Sequence, residues 1–393
     1  MRICRVVTVP ITFETLYREQ LAYLVHQGID VTLVSSPGAT IGEIAKSLKM
    51  HYRPIKMARK VEPFHDLRTL IILTRLLRRK RFDIIHSSTP KAGLLTALAG
   101  ALARAPVRIH TFTGQVWVGM QGVTRKIMMF CDWIIGHLNT HCYADSESQR
   151  NFLVNERLVA ASKLSVLGAG SVSGVDLERF SPTVFGREHV ATMRRELGIA
   201  RQSSVILFVG RLTKDKGIRE LVSAFQMLQK DQKDVDLILV GPFEPERDPL
   251  PQETLNELSA NQNIHVIGFS PEPEKYMAIA DVFCLPSYRE GFGSVIIEAA
   301  AMGLPSVASK VVGLVDAVVD GETGLLVPAK DELALKQALL RMISEPKIRH
   351  RMGHAARTRA VRDFDSNLIN QTMLEEYKKL FASRMTPSNF SKS

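Results

Sequence analysis

Short runs of branched apolar residues recur along this chain, each followed by Gly or Pro and then by a stretch whose apolar positions have helical spacing. That alternation predicts strands and helices in turn, the pattern of βαβ units and parallel sheets. In the first half the strand-like runs are residues 3–9, 31–35, 84–87, 107–112 and 142–144. Residues 14–26 read as one helix, with Gly28 as its C-terminal stop. A second series opens with Val205-Ile206-Leu207-Phe208-Val209 and continues at 237–240, 265–267, 282–285 and 305–308. Between the series, Gly168-Ala169-Gly170-Ser171-Val172-Ser173-Gly174 is rich in small residues and reads as an interdomain linker. The last helical stretch, 366–381, is amphipathic, and a polar tail over 384–393 reads as disordered. The fold class is α/β, with two doubly wound, Rossmann-like domains facing a cleft. The first spans 1–172 and the second 173–365, and the terminal helix, 366–383, is expected to pack back on the first.

Composition agrees with two soluble domains: 393 residues, 45% hydrophobic and 23% charged. The start of the chain runs into a strand without the layout of a signal peptide, and no apolar run reaches the roughly 18 residues of a spanning helix. Four scattered cysteines without a CxxC pair read as buried thiols of a reducing compartment, so the expected location is cytoplasmic. Charge adds a second expectation. Residues 1–170 hold 23 of the 51 Lys and Arg but 11 of the 40 Asp and Glu, a surplus of twelve, while the remainder is one charge negative. A basic half suits an anionic partner, and nucleic acid and an anionic membrane leaflet both fit that charge.

The chemistry concentrates in the second half. Gly210-Arg211-Leu212-Thr213-Lys214-Asp215-Lys216-Gly217 follows a strand directly, the place where open α/β sheets bind ligands. Arg211 and Lys216 there fit phosphate oxygens; solvated loop cations are the other reading. Glu290-Gly291-Phe292-Gly293-Ser294-Val295-Ile296-Ile297-Glu298 follows another strand. Its glycines allow close backbone approach, and Ser294 reads as the cap of a helix whose free N–H groups face an anion. Glu290 would sit at the loop mouth, with Glu298 in the helix facing the cleft. Asp234-Val235-Asp236 has the D-x-D form of metal-binding glycosyl transfer sites, but it opens a strand after a polar run, so its acids read as solvated surface and no metal is assigned.

The order and spacing of these segments resemble the E-x7-E signature and the G-R-L-x-x-x-K-G segment of family 4 retaining glycosyltransferases. Further likeness lies in Gly174-Val175-Asp176-Leu177-Glu178-Arg179-Phe180-Ser181-Pro182, in Pro286-Ser287-Tyr288-Arg289 and in Asp320-Gly321-Glu322-Thr323-Gly324-Leu325-Leu326-Val327, which together cover most of residues 170–330. The resemblance implies the GT-B fold and a nucleotide diphosphate sugar donor, UDP-linked by family frequency. It implies retention of configuration, with no metal and no cofactor. Arg211 and Lys216 would bind the diphosphate, Glu290 the transferred sugar and Glu298 the ribose. Backbone amides of Gly291, Phe292, Gly293, Ser294 and Val295 would lie near the phosphates. His110, in Ile109-His110-Thr111-Phe112-Thr113-Gly114, matches a family histidine at a strand end facing the donor sugar; taken alone it reads as a structural, hydrogen-bonded histidine. The loop after the first strand, often Gly-rich in the family, is Val9-Pro10-Ile11-Thr12-Phe13-Glu14 here and carries over no role.

Two basic segments bear on the acceptor. Residues 67–81 form an apolar helical pattern that ends in cations, with Arg75, Arg78 and Arg79 on one face. They suit either the C-terminal end of a packed helix or anionic lipid heads. Residues 117–135 hold both tryptophans beside Arg125 and Lys126, fitting a membrane interface or a core. The resemblance is closest to transferases of bacterial capsule, O-antigen and lipid-linked oligosaccharides. It implies a polyprenyl-diphosphate-linked saccharide acceptor and a peripheral place on the inner face of the cytoplasmic membrane. The alternatives are a nucleotide-sugar epimerase of the same architecture and a basic, non-catalytic protein associated with nucleic acid. No nucleic-acid motif accompanies the bases.

Overall fold

A computed structural model describes residues 1–58 and 62–385. The chain divides into two compact units, one of residues 1–173 together with the segment from Ser366, the other Gly174–Asp365. Unit one holds a seven-stranded sheet of β1 (Arg2–Val6), β2 (Asp30–Ser35), β3 (His51–Pro54), β4 (Ile84–Ser88), β5 (Val107–Phe112), β6 (His141–Ala144) and β7 (Leu164–Val166). Its order is β3-β2-β1-β4-β5-β6-β7, and every pair is parallel. Unit two holds β8 (Ser204–Val209), β9 (Val235–Val240), β10 (Ile264–Gly268), β11 (Val282–Leu285), β12 (Ser306–Ser309) and β13 (Gly324–Val327), ordered β10-β9-β8-β11-β12-β13 and again all parallel. Both faces of such sheets are covered, which is why β8 and β9 are buried almost throughout and read as unbroken apolar runs.

In both sheets the strand order reverses once, between β1 and β4 and between β8 and β11. At that reversal the crossovers leave in opposite directions, which opens a crevice beyond the C-terminal strand ends. The segments that carry the candidate chemistry of unit two, after β8 and after β11, flank its reversal.

The predicted helix over 14–26 is two helices, Ile11–Thr15 and Arg18–His26. The break turns Tyr17 inward, where its hydroxyl donates to Ser88 at 3.0 Å and its ring lies 4.5 Å from the Arg5 guanidinium carbon. The terminal helix runs Ser366–Met385, and the expected disordered tail lies outside the described residues from 386 onward. Met373, Leu374 and Tyr377 of this helix enter the core on one face of the first sheet.

Beneath it lies a buried cation. Arg5 on β1 is 1% exposed, and Nη1 donates to Gln20 Oε1 (3.0 Å) and to the Tyr377 hydroxyl (2.7 Å). The Tyr377 hydroxyl is in turn 2.5 Å from His86 Nδ1, whose other ring nitrogen meets Thr111 Oγ1 at 2.7 Å. A buried guanidinium is costly unless hydrogen-bonded. The last helix therefore supplies an acceptor that the first strand requires.

Two fully buried histidines are kept neutral inside this unit. Burial first, then the Arg5 charge, holds His86 well below its ordinary pKa, and burial alone pushes His110 down to about 3. A group depressed in the folded state stabilises the fold above its unfolded pKa, about 6.5, and loses that contribution as pH falls through lower values. Thermal unfolding followed at pH 7.5 and pH 5 is expected to show unit one melting earlier at pH 5. Replacing His110 with Gln should shrink the difference between the two pH values.

Candidate functional site

The loops of unit two are held by backbone contacts that only glycine permits. Gly217 has φ +71°, and a β-carbon there would lie 2.1 Å from the carbonyl oxygen of Pro286. The loop after β8 is thereby pressed on the loop after β11. A β-carbon on Gly313 would meet the Gly291 carbonyl oxygen at 2.6 Å, so the turn after β12 backs the same loop.

Within this frame the predicted donor residues converge. Lys216 Nζ forms an ion pair with Glu290 Oε1, both side chains largely buried. Arg211 Nη1 pairs with Glu244 Oε2 at 2.6 Å. Asp215, between them in sequence, accepts from Thr213 Oγ1 (2.6 Å) and from Arg289 Nη2 (2.7 Å), and its backbone N–H donates to Asp248. Burial would raise the Asp215 carboxyl, but the Thr213 hydrogen bond and the charges of Arg289, Arg211 and Lys216 outweigh it and hold the pKa below its ordinary value.

The helix expected at the E-x7-E segment is Ser294–Ala301. Ser294 is not its cap: Gly293 takes that place at φ +83°, and no side chain caps the helix. The left-handed backbone at Gly293 strains any side chain there, and Leu314 Cδ2, 2.6 Å from where a β-carbon would lie, would also have to shift. The first-turn amides of Ser294 and Val295 consequently keep no intrahelical acceptor, the arrangement that suits an anion. Phe292 points inward, 1% exposed and edge-on to Phe364 at 5.3 Å, so its part is to anchor the loop. Glu298 is half-buried on the helix, and its charge reaches Arg179, which is itself bound to Glu274 at 2.7 Å.

Two positions differ from expectation. His110 lies within β5 and not at its end, 2% exposed, with Nδ1 2.9 Å from Ser87 Oγ. Its ring is fitted against Gly93, where a β-carbon would come within 2.4 Å. Asp236 is not solvated: it is buried on β9 and accepts from the Ser203 hydroxyl, with His265 Nε2 at 2.8 Å. Its carboxylate is satisfied by strand neighbours because β9 lies inside the sheet, while Asp234 is exposed. Among the described residues no group of three His, Cys, Asp or Glu is placed to hold a metal ion. Arg125 and Arg78 are engaged rather than free, the first 5.5 Å from the Trp117 ring and the second donating to the Leu102 carbonyl at 3.0 Å.

Other residues beside the strand-order reversals of each unit carry no sequence signal of their own. Glu244 follows β9 in a loop without a motif, and reaches Arg211 because Leu212 and Phe243 bridge the two loops. In unit one, Thr89 after β4 has φ +74°, an outlier for a β-branched residue, and Thr8 after β1 holds it through a 2.9 Å hydroxyl contact. That pair sits at the strand-order reversal of the first sheet.

Comparison with known proteins bears on this arrangement. Residues 190–359 match the profile described as glycosyl transferases group 1, and residues 14–170 match a glycosyl transferase 4-like domain. A capsular polysaccharide biosynthesis glycosyltransferase, CapM, from Staphylococcus aureus is 30% identical over 92% of this chain and 93% of its own. The chain belongs to the group 1 glycosyl transferases. A second relative of this glycosyltransferase, from Escherichia coli, is UDP-Gal:alpha-D-GlcNAc-diphosphoundecaprenol alpha-1,3-galactosyltransferase, 24% identical over 88% of each chain. In fold, the glycosyltransferase resembles Anabaena Alr3699/HepE, solved with UDP and glucose, at a TM-score of 0.81 and 18% identity over 96% of this chain and 100% of that one. Two Rossmann-like units of the GT-B type are therefore its architecture.

The glycine contacts give a direct test. Gly217→Ala is expected to lower the unfolding midpoint of unit two strongly, because left-handed backbone and a collision with Pro286 act together. Gly321→Ala, at φ +77° with nothing near its β-carbon, should cost only about 1–2 kcal/mol. Equal midpoints for the two variants in thermal unfolding would contradict the assigned contact.

Proposed function

We propose that this glycosyltransferase retains anomeric configuration and moves a hexose or N-acetylhexosamine from a UDP-sugar to a polyprenyl-diphosphate-linked saccharide, in the building of a bacterial surface polysaccharide. The observation that carries the reading is the convergence of Arg211, Lys216 and the N-terminus of helix Ser294–Ala301 on the strand-order reversal of unit two. Two cations and unfilled amides form a place for a diphosphate, where charge grows as the glycosidic bond breaks. Arg211 offers a planar fork and Lys216 a point charge. In this reading Glu244 and Glu290 hold the two cations until the diphosphate takes them, and Glu290 is then free to accept hydrogen bonds from the sugar. Glu298 receives the ribose diol. Preorganised cations and amides supply the stabilisation that a metal gives elsewhere, so the reaction is metal-independent. His110, covered within β5, is a positioning residue for the loop after that strand. The UDP donor and the diphosphate-lipid acceptor are drawn from the name of the Escherichia coli relative.

The acceptor's lipid places the enzyme at the inner face of the cytoplasmic membrane, and two helices of unit one suit that surface. Helix Gly122–Leu138 exposes Val123 (73%), Ile127, Phe130 and Trp133 in one stripe beside Lys126. Helix Pro63–Lys80 exposes Phe64 (92%), Leu67 and Ile71, followed by Arg75 and Arg79. Large apolar side chains in rows with cations suit an interfacial helix facing anionic lipid. No helix among the described residues is long and apolar enough to cross a membrane.

Purified enzyme with UDP-sugars and lipid-linked acceptor in EDTA is expected to release UDP in an acceptor-dependent manner, with the product's anomeric configuration unchanged by NMR. Lys216→Ala should lower kcat by roughly 10²- to 10³-fold, the usual loss for one donor at a developing charge. Full activity of Lys216→Ala, or activity abolished by EDTA, contradicts this reading.

A further inference from the structure

At the opposite rim of the first sheet, where β5 and β6 begin, a cavity of about 520 Å³ lies between the ends of two helices and the terminal helix. Arg104, Arg108, Lys163 and Arg384 line it, together with the polar Asn139 and Thr140. Among the described residues no carboxylate lines it. A second recess, lined by Arg78 and Arg104, adjoins it.

Cations commonly gather at helix C-termini to satisfy carbonyl groups, and part of this cluster does so. Arg108 Nε donates to Leu138 O (2.9 Å) and Nη1 to Ala105 O (2.6 Å), while Lys163 Nζ donates to the carbonyls of His137 and Asn139. Magnitude separates this from a complete account. Each helix end carries about half a negative charge, so two ends offset about one of four positive charges. Arg108 Nη2, Arg104 and Arg384 have no side-chain partner among the described residues. Burial first, then the nearby Arg384 charge, lowers the Arg108 pKa, and the second of these causes is repulsion between like charges. The surplus, with Arg104 and Arg384 exposed, is open to an anion from outside the chain.

A second feature narrows what that anion is. A groove of about 490 Å³ shares Lys163 with the cavity and is lined by Trp133, Val154, Leu158 and Val159. Trp133 also ends the exposed stripe of helix Gly122–Leu138 and stacks on Phe130 at 5.6 Å. Cationic cavity and largely apolar groove thus adjoin at Lys163, an arrangement that suits a molecule with a phosphate at one end and hydrocarbon at the other.

We propose that this cavity binds the phosphate headgroup of an anionic phospholipid, with part of an acyl chain in the groove beside Trp133. The site is separate from the donor residues and from the strand-order reversals. It rests on the membrane placement above, and orients unit one on the bilayer by a specific lipid in addition to general charge.

The full-length enzyme can be tested by sedimentation with phosphatidylcholine vesicles, with and without phosphatidylglycerol, the latter also with brominated chains. Wild type is expected to bind the phosphatidylglycerol vesicles, with brominated chains quenching Trp133, the exposed one of its two tryptophans. Arg104→Gln/Arg384→Gln removes two exposed cations and should weaken binding by roughly tenfold or more and abolish the quenching, at about five-fold per charge. Lys46→Gln/Arg53→Gln removes the same charge from exposed positions outside the cavity and both membrane-facing helices, and should leave binding and quenching within about twofold of wild type. If both double variants weaken binding equally and both still show quenching at vesicle concentrations that restore binding, attraction is diffuse and the site is wrong, while membrane association stands. If wild type binds no vesicle, the membrane reading falls and the lipid site with it. Inorganic phosphate or pyrophosphate binding in solution, without vesicle binding, would assign the cavity to a soluble anion and overturn the lipid.

Discussion

Unit two depends on contacts between backbones that leave no room for a side chain. The loop after β8 touches the loop after β11 at Gly217 and Pro286, the loop after β9 touches the end of β8 at Gly241 and Gly210, and the turn after β12 touches Gly291 through Gly313. A parallel sheet fixes where its strands end, but not how far apart the loops beyond them stand. These glycines fix that distance. Arg211, Lys216 and Glu290 occupy one neighbourhood because the loops that bear them cannot separate by the width of a methyl group.

The sequence made this arrangement legible in part. Strands inside the sheets were readable because burial on both faces demands unbroken apolar runs, as in β8 and β9. The strands that the pattern misses, β3, β7 and β13, are all at sheet edges. β3 is the polar sequence HYRP and β7 has three residues, so neither carries the signal that burial imposes. The cations and Glu290 were legible through motif spacing, whereas Glu244 and Thr89 were not. Each enters through a contact between loops distant in sequence, and nothing local to either residue encodes it. The reading of Asp236 as surface failed for a related reason: a polar residue opening a strand looks solvated until its neighbours across the sheet are known to be Ser203 and His265.

The positive charges of the two units are handled differently. In unit two the site cations are each matched with a carboxylate, so they are held in place while remaining exchangeable for a stronger anion. Those of unit one mostly meet carbonyl oxygens, aromatic rings or solvent. Carbonyls orient a cation without cancelling it, and the surplus of the basic half is thereby kept as an external field.

The tie between Arg5 and Tyr377 has a consequence for synthesis on the ribosome. The first strand emerges early, yet a hydroxyl that accepts from its guanidinium lies 372 positions later. Unit two lies wholly between them in the chain and can close its own core while unit one still lacks a face. The half that is made first is therefore completed last, and a nascent chain released before Tyr377 would leave one domain finished and the other with a buried charge short of an acceptor.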